Sequence, residues 1–242
     1  MPSSIVGTPS VCVAGTASIS NPDPGGVWST SDPLVATVDA IGTVTGVAIG
    51  TATIMYTNPL TTCMSSVVVS VNPVPTAIAG TLVVCEGSAT SLTSTPGAGV
   101  WTSSDNTIAT VASVSGVVTG VSQGTVNITY TVGGVGGCFN STIVTVNPLP
   151  NPITGVPAVC IGFTTTLSNV TTGGSWSSAN PAVATIDASG VVTGMINGTT
   201  TVSYTLSTGC ASVVVVTVNA LPSALTGTGS VCVGSNVTLS ST

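Results

Sequence analysis

The sequence predicts an all-β protein made of sandwiches in tandem, on three observations. Apolar residues alternate with period two over strand-length stretches. Clusters of Gly, Pro, Asn and Asp punctuate those stretches every 8–12 positions, as in a sandwich of many short strands. The whole pattern then recurs along the chain with a period of about 73 residues, so the unit of organisation is the repeat.

The repeat is carried by four residue series. Cys12, Cys85, Cys160 and Cys232 recur at intervals of 73, 75 and 72, and Trp28, Trp101 and Trp176 at 73 and 75. Tyr56, Tyr130 and Tyr204 recur at 74 and 74, and a second cysteine series, Cys63, Cys138 and Cys210, at 75 and 72. The boundaries read Val-Asn-Pro-Val-Pro (71–75), Val-Asn-Pro-Leu-Pro (146–150) and Val-Asn-Ala-Leu-Pro (218–222), Pro-rich joints that favour an extended, semi-rigid connection. Modules are therefore expected at 1–72, 73–147 and 148–219. Residues 220–242 repeat only the opening of a fourth module, with Cys232 lacking a downstream partner. Either the polypeptide continues or this tail is a donor segment that pairs with another molecule.

Within the first module, short strands are expected near 11–20, 27–31, 35–39, 42–49, 51–57 and 63–71. Thr51-Ala-Thr-Ile-Met-Tyr-Thr and Ser65-Ser-Val-Val-Val-Ser-Val show the alternation, and Val and Thr favour strands. Asn21-Pro-Asp-Pro-Gly-Gly, Asp39-Ala-Ile-Gly and Asn58-Pro-Leu supply the turns. One short helical turn is expected around Asp32-Pro-Leu-Val, and no long helix. No apolar run approaches the ~20 residues of a membrane helix, and no basic n-region or long apolar h-region follows Met1, so no signal peptide is visible, as expected of a processed chain or of a stretch of a longer one.

Composition narrows the function. The 242 residues contain no Lys, Arg or His and six acidic residues, for a net charge of −6. The usual general base, the Schiff-base amine and the His metal ligand are all absent, so no catalytic residue, no metal and no cofactor is expected. Nothing can neutralise phosphates, which argues against nucleic acid, and nothing basic can hold an anionic membrane surface. With 43% apolar residues and 2% charged ones the chain does not have the composition of a disordered segment. Trypsin-like proteases find no cleavage point in it.

The run from Val27-Trp-Ser-Thr-Ser-Asp32 to Ile54-Met-Tyr56 resembles the group 2 bacterial immunoglobulin-like domain. Trp101-Thr-Ser-Ser-Asp105 to Tyr130 and Trp176-Ser-Ser-Ala-Asn180 to Tyr204 repeat it, so the resemblance covers all three modules and the start of the fourth. It implies tandem immunoglobulin-like β-sandwiches of the kind found in surface adhesins, surface layers, filaments and phage structural proteins, with no catalytic site. The regular cysteines and the missing basic residues depart from the family pattern.

Two regular cysteines per module point to disulfides and to an oxidising, extracellular or cell-surface location. The spacings contain no Cys-x-x-Cys, which argues against zinc. Pairing within modules (Cys12–Cys63, Cys85–Cys138 and Cys160–Cys210) is the first expectation. The alternative is a bridge between neighbouring modules or molecules, because two cysteines at opposite poles of a sandwich lie beyond the ~7 Å that a disulfide spans. Cys232 is the candidate for an unpaired or intermolecular cysteine.

The remaining candidates read as structure. Trp28, Trp101 and Trp176 are expected in the core rather than as sugar-stacking platforms. Tyr56, Tyr130 and Tyr204 should close a strand with the hydroxyl bonded at a sandwich corner. Asp23, Asp32, Asp39, Glu86, Asp105 and Asp187 suit turns and caps better than calcium, which needs six to eight oxygens; Asn180 stands where Asp32 falls in the first module. Glycosylation sequons occur at Asn127, Asn140, Asn169, Asn197 and Asn236. The function expected is a structural extracellular protein, a filament or adhesin stalk whose partner is itself, by homopolymerisation or by continuing repeats. A surface adhesin or glycan-binding array is the alternative, and ice binding a minor third.

Overall fold

A computed structural model describes residues 2–134, 137–223 and 229–238. The chain divides into two compact units, Met1–Asn147 and Pro148–Thr242. The first unit holds two sandwiches and the second holds one.

In the first sandwich the strands are β1 (Val6–Gly7), β2 (Ser10–Cys12), β3 (Thr16–Ser20), β4 (Val27–Thr30), β5 (Ala36–Val38), β6 (Thr43–Gly46), β7 (Gly50–Thr57) and β8 (Met64–Asn72). They form two four-stranded sheets, ordered β1-β3-β6-β5 and β2-β8-β7-β4. The same two sheets recur between Ala79 and Asn147 and between Thr154 and Asn219. Among the described residues there is no helix; the chain makes one hydrogen-bonded turn after Asp32, where Ala36 N–H donates to the Asp32 carbonyl at 3.0 Å.

The alternation of β7 sets the core. Ala52, Ile54 and Tyr56 point inward and are buried, while the residues between them are more exposed. Val69 and Val71 of β8, Val44 of β6, Ile19 of β3 and Val11 of β2 close around them. Leu92, Ile128 and Val144 do the same in the second sandwich, and Leu167, Val202 and Val216 in the third.

The stretch 11–20, expected as one strand, is two. The chain turns after Cys12, with Gly15 N–H donating to the Cys12 carbonyl at 2.9 Å and Ala14 at φ 62°. That turn moves it from the sheet of β8 to the sheet of β6. β2 thereby runs parallel to β8, with Cys12 paired to Asn72, and the first strand of each module lies beside its last. Gly87 and Gly162 take the same left-handed conformation at the equivalent positions.

Residues 229–238 keep this turn: Ser235 N–H donates to the Cys232 carbonyl at 3.0 Å, with Gly234 at φ 84°. They form no strand. In the first module the equivalent strand, β2, forms by pairing with the β8 of the same module, 60 residues further along (Ser10↔Ser70). The rest of the expected segment, residues 224–228 and 239–242, lies outside the described residues.

Candidate functional site

The strand order dictates what each cysteine can reach. Cys12 ends β2 beside Asn72, the last residue of β8, whereas Cys63 immediately precedes β8. Nine residues of strand at about 3.3 Å each separate the two ends by roughly 30 Å, against the ~7 Å limit of a disulfide. The same holds in the second module, where Cys85 pairs with Asn147 and Cys138 sits at the far end of the strand Cys138–Asn147. Pairing within modules is thereby corrected.

Cys12 instead bonds Cys138 of the next module, with a Cα–Cα distance of 5.6 Å across a sequence separation of 126. Cys63 and Cys160 carry free thiols and are half-buried, and Cys232 carries an exposed free thiol. Cys85 and Cys210 are disulfide-bonded.

Around the bond the two sandwiches of Met1–Asn147 form a fitted joint. Cys12 packs against the core of the second module, and Cys138 there is only 2% exposed. The Cys138 sulfur lies 3.6 Å from the Asn72 carbonyl oxygen. The Asn72 side chain is held by donating from Nδ2 to Ser10 Oγ at 2.7 Å, and Gly133 comes up against it so closely that a Cβ there would lie 2.5 Å from the Asn72 carboxamide. Asn140 Nδ2 donates to the Pro75 carbonyl at 3.5 Å, tying the second module to the linker that leads into it. Asn72, Gly133 and Asn140 escape a search for chemistry-bearing residues. The available signal is the Asn of Val-Asn-Pro-Val-Pro, which returns as Asn147 and Asn219 at the later boundaries.

The aromatic residues form a second recurring unit inside each module. Trp28 pairs with Tyr56, Trp101 with Tyr130 and Trp176 with Tyr204, at ring-centroid distances of 4.7, 4.6 and 4.8 Å. Trp101 is 4% exposed, which leaves no face for a sugar; Trp28 and Trp176 are half-buried against their cores. Each tyrosine hydroxyl bridges the preceding corner: Tyr130 accepts from Gly99 N–H at 2.8 Å and donates to the Pro96 carbonyl at 2.8 Å. Tyr56 does so with Gly26 and Asp23, and Tyr204 with Gly174 and Thr171.

The carboxylates are spread over separate turns. Asp32 and Asp105 accept from the N–H two residues on, and Asn180 does the same at the equivalent place in the third module. Asp39 accepts from Ile41 and Thr43 N–H, Asp187 from Ser189 and Val191 N–H. Glu86 accepts from Gln123 N–H, and Asp23 from Ser3. The Thr107 hydroxyl and then its N–H hold Asp105 below the ordinary value of 3.8; the Thr43 N–H and then that of Ile41 do so for Asp39. Among the described residues no group of three or more Cys, Asp or Glu could hold a metal ion.

Of the sequon asparagines, Asn127, Asn197 and Asn236 are exposed. Asn140 is engaged at the joint, and the Asn169 amide donates to the Asn151 carbonyl and to Ser212 Oγ. Among the described residues no helix is long and apolar enough to cross a membrane. The bonded cysteines place the chain outside the reducing cytoplasm, at the cell surface or beyond it.

Comparison with known proteins agrees with this architecture. The model of the bacterial Ig-like domain (group 2) matches residues 9–59 and 65–146, and that of the intimin immunoglobulin-like domain matches residues 163–208. Ice-binding protein 1 of Shewanella frigidimarina (strain NCIMB 400) is 28% identical over 208 residues, covering 74% of this chain and 23% of that protein. The chain thus spans about a quarter of that relative's length. Among solved structures, invasin, a bacterial integrin-binding protein, is 17% identical over 89% of this chain and 59% of its own, with a TM-score of 0.38. A C-terminal fragment of intimin in complex with the intimin-binding domain of its translocated receptor is 16% identical over 62% and 67%, with a TM-score of 0.39. On the family match, the chain belongs to the group 2 bacterial immunoglobulin-like domains.

Proposed function

We propose that this chain is a load-bearing segment of an extracellular surface protein, a stalk or filament of immunoglobulin-like modules joined covalently from one to the next. The observation that carries the reading is the bond from Cys12 to Cys138. An in-module disulfide would stabilise one sandwich; a bond between modules fixes the joint itself. It also closes off 126 residues, so that a module that unfolds under load cannot lengthen the chain by its own contour. In the chain-entropy model a loop of this size is worth about 5 kcal/mol. The absence of tryptic sites and of any basic residue suits a protein that must persist outside the cell, and the family supplies structural modules rather than a catalytic fold.

Pulling single molecules by their termini tests the reading. At about 3.5 Å per residue, the oxidised chain should stop at least roughly 440 Å short of the reduced one. Equal final lengths would remove the mechanical role.

The rival reading, an adhesin or glycan-binding array, draws on the receptor-bound intimin fragment and on invasin among the similar structures. It requires an exposed platform, and Phe139 and Phe163 are the exposed aromatics. Glycan binding that is lost on replacing either of them would favour it. The similarity to an ice-binding protein is tested by thermal hysteresis, which the stalk reading predicts to be absent.

A further inference from the structure

In the first module β7 opens on Gly50, and the equivalent strands of the second and third open on Gly124 and Gly198. The three glycines sit at φ 153°, 157° and 146°. Glycine takes such a backbone at little cost and other residues do not, so the fold fixes the residue there. The position before it varies: Ile49, Gln123 and Asn197. The third module therefore presents an Asn-Gly pair at the tip of the turn between the strands Val191–Gly194 and Gly198–Thr205, with Asn197 exposed.

Among the described residues the Asn197 carboxamide has no hydrogen-bond partner. The other asparagines are protected in one of three ways. Six of the 13 precede proline, which has no N–H. Asn140 and Asn169 are tied through Nδ2 to the carbonyls of Pro75 and Asn151. Asn106, Asn127, Asn219 and Asn236 precede Thr, Ile, Ala and Val, each with a Cβ crowding its own N–H. Asn197 alone combines a free carboxamide with a following N–H that no side chain shields.

We propose that Asn197-Gly198 is a site of spontaneous modification, where the asparagine cyclises onto the main chain and water converts it to an aspartyl or isoaspartyl residue. The Gly198 nitrogen, losing its proton to base, attacks Asn197 Cγ. The new C–N bond closes a five-membered succinimide, and the carboxamide nitrogen leaves as ammonia. Water then opens the ring at either carbonyl, breaking one ring C–N bond, so one water is consumed for each ammonia released. The product adds a negative charge to the −6 of the chain, and its isoaspartyl form adds a methylene to the main chain just before a paired strand. Gly198 pairs with Val218, next to Asn219 and its partner Cys160, so the change falls at that end of the third sandwich. Ile49 has no carboxamide and Gln123 must close a larger ring, which confines the reaction to the third module. The inference stands apart from the stalk reading.

The test is incubation of the full chain at neutral and at mildly alkaline pH, followed by peptic digestion in acid and mass spectrometry. A gain of about 1 Da is expected on the peptide that contains Asn197, at least an order of magnitude faster than on those with Asn106 or Asn127, and faster in alkali. Isoelectric focusing should show a growing acidic band that Asn197→Gln, the residue pair of the second module, abolishes. An Asn197 peptide that stays unchanged, a gain shared equally by Asn106 and Asn127, or an acidic band that survives Asn197→Gln overturns the proposal. A glycan on Asn197, which blocks its carboxamide, overturns it too. The Cys12–Cys138 peptide in the same digest decides the stalk reading separately.

Discussion

Tyr130 stands directly across two paired strands from Trp101, with ring centroids 4.6 Å apart and the phenol oxygen bridging Gly99 N–H and the Pro96 carbonyl. One side chain thus packs the core and ties down the loop that leads into the Trp strand. Replacing Tyr130 by Phe keeps the ring contact and removes both hydrogen bonds. The expected loss is about 1–3 kcal/mol, read as a lower denaturant midpoint for the second module with an unchanged slope.

The glycine before each Trp strand is required by that same ring. A Cβ on Gly99 would lie 2.4 Å from the Tyr130 ring, and one on Gly174 or Gly26 comes as close to Tyr204 or Tyr56. Gly99→Ala should cost about 1–3 kcal/mol through overpacking, and combining it with Tyr130→Ala should recover part of that loss. Thermal unfolding of the two single variants and the double variant measures the coupling.

Ala14 sits at φ 62°, where the second and third modules place Gly87 and Gly162. The left-handed conformation costs a non-glycine residue about 1–2 kcal/mol, partly offset by the extra chain entropy that glycine loses on folding. Ala14→Gly is therefore expected to stabilise the first module by up to about 1 kcal/mol and to raise its unfolding temperature. No change, or a fall, would show that the turn carries no strain.

The depressed acidities of Asp39 and Asp105 fix the sign of an acid effect. Each folded carboxyl titrates below its ordinary 3.8, so its contribution is complete above that value and is lost as pH falls through the lower folded value. Stability should therefore decline with acid below about pH 4. Asp105→Asn should flatten that decline while keeping the turn, since Asn180 caps the equivalent turn in the third module. Denaturant titrations of both proteins at several pH values check this.

What could be read from the residues alone follows physical locality. The alternation in Thr51–Thr57 and Ser65–Val71 marks β7 and β8, because side-chain period and burial are local properties of a strand. The Trp and Tyr series, spaced 28 residues apart in the first and third modules, turn out to be cross-strand pairs. The split of residues 11–20 was not legible, since Ala14 lacks the glycine signature that its equivalents carry. The cysteine pairing was hidden for a different reason. It depends on which pole of the sandwich each strand end reaches, and that is set by the parallel pairing of β2 with β8, residues 60 apart (Ser10↔Ser70). Asn72 and Gly133 matter only once two modules meet, so no single repeat announces them.

The most direct test of the account is the connectivity of Cys12 in the unreduced protein. The chain offers no tryptic site, so digestion with pepsin, followed by mass spectrometry before and after reduction, is the appropriate measurement. A peptide pair that joins Cys12 to Cys138 is the predicted result. A pair that joins Cys12 to Cys63 would contradict the covalent joint between modules and the stalk built on it.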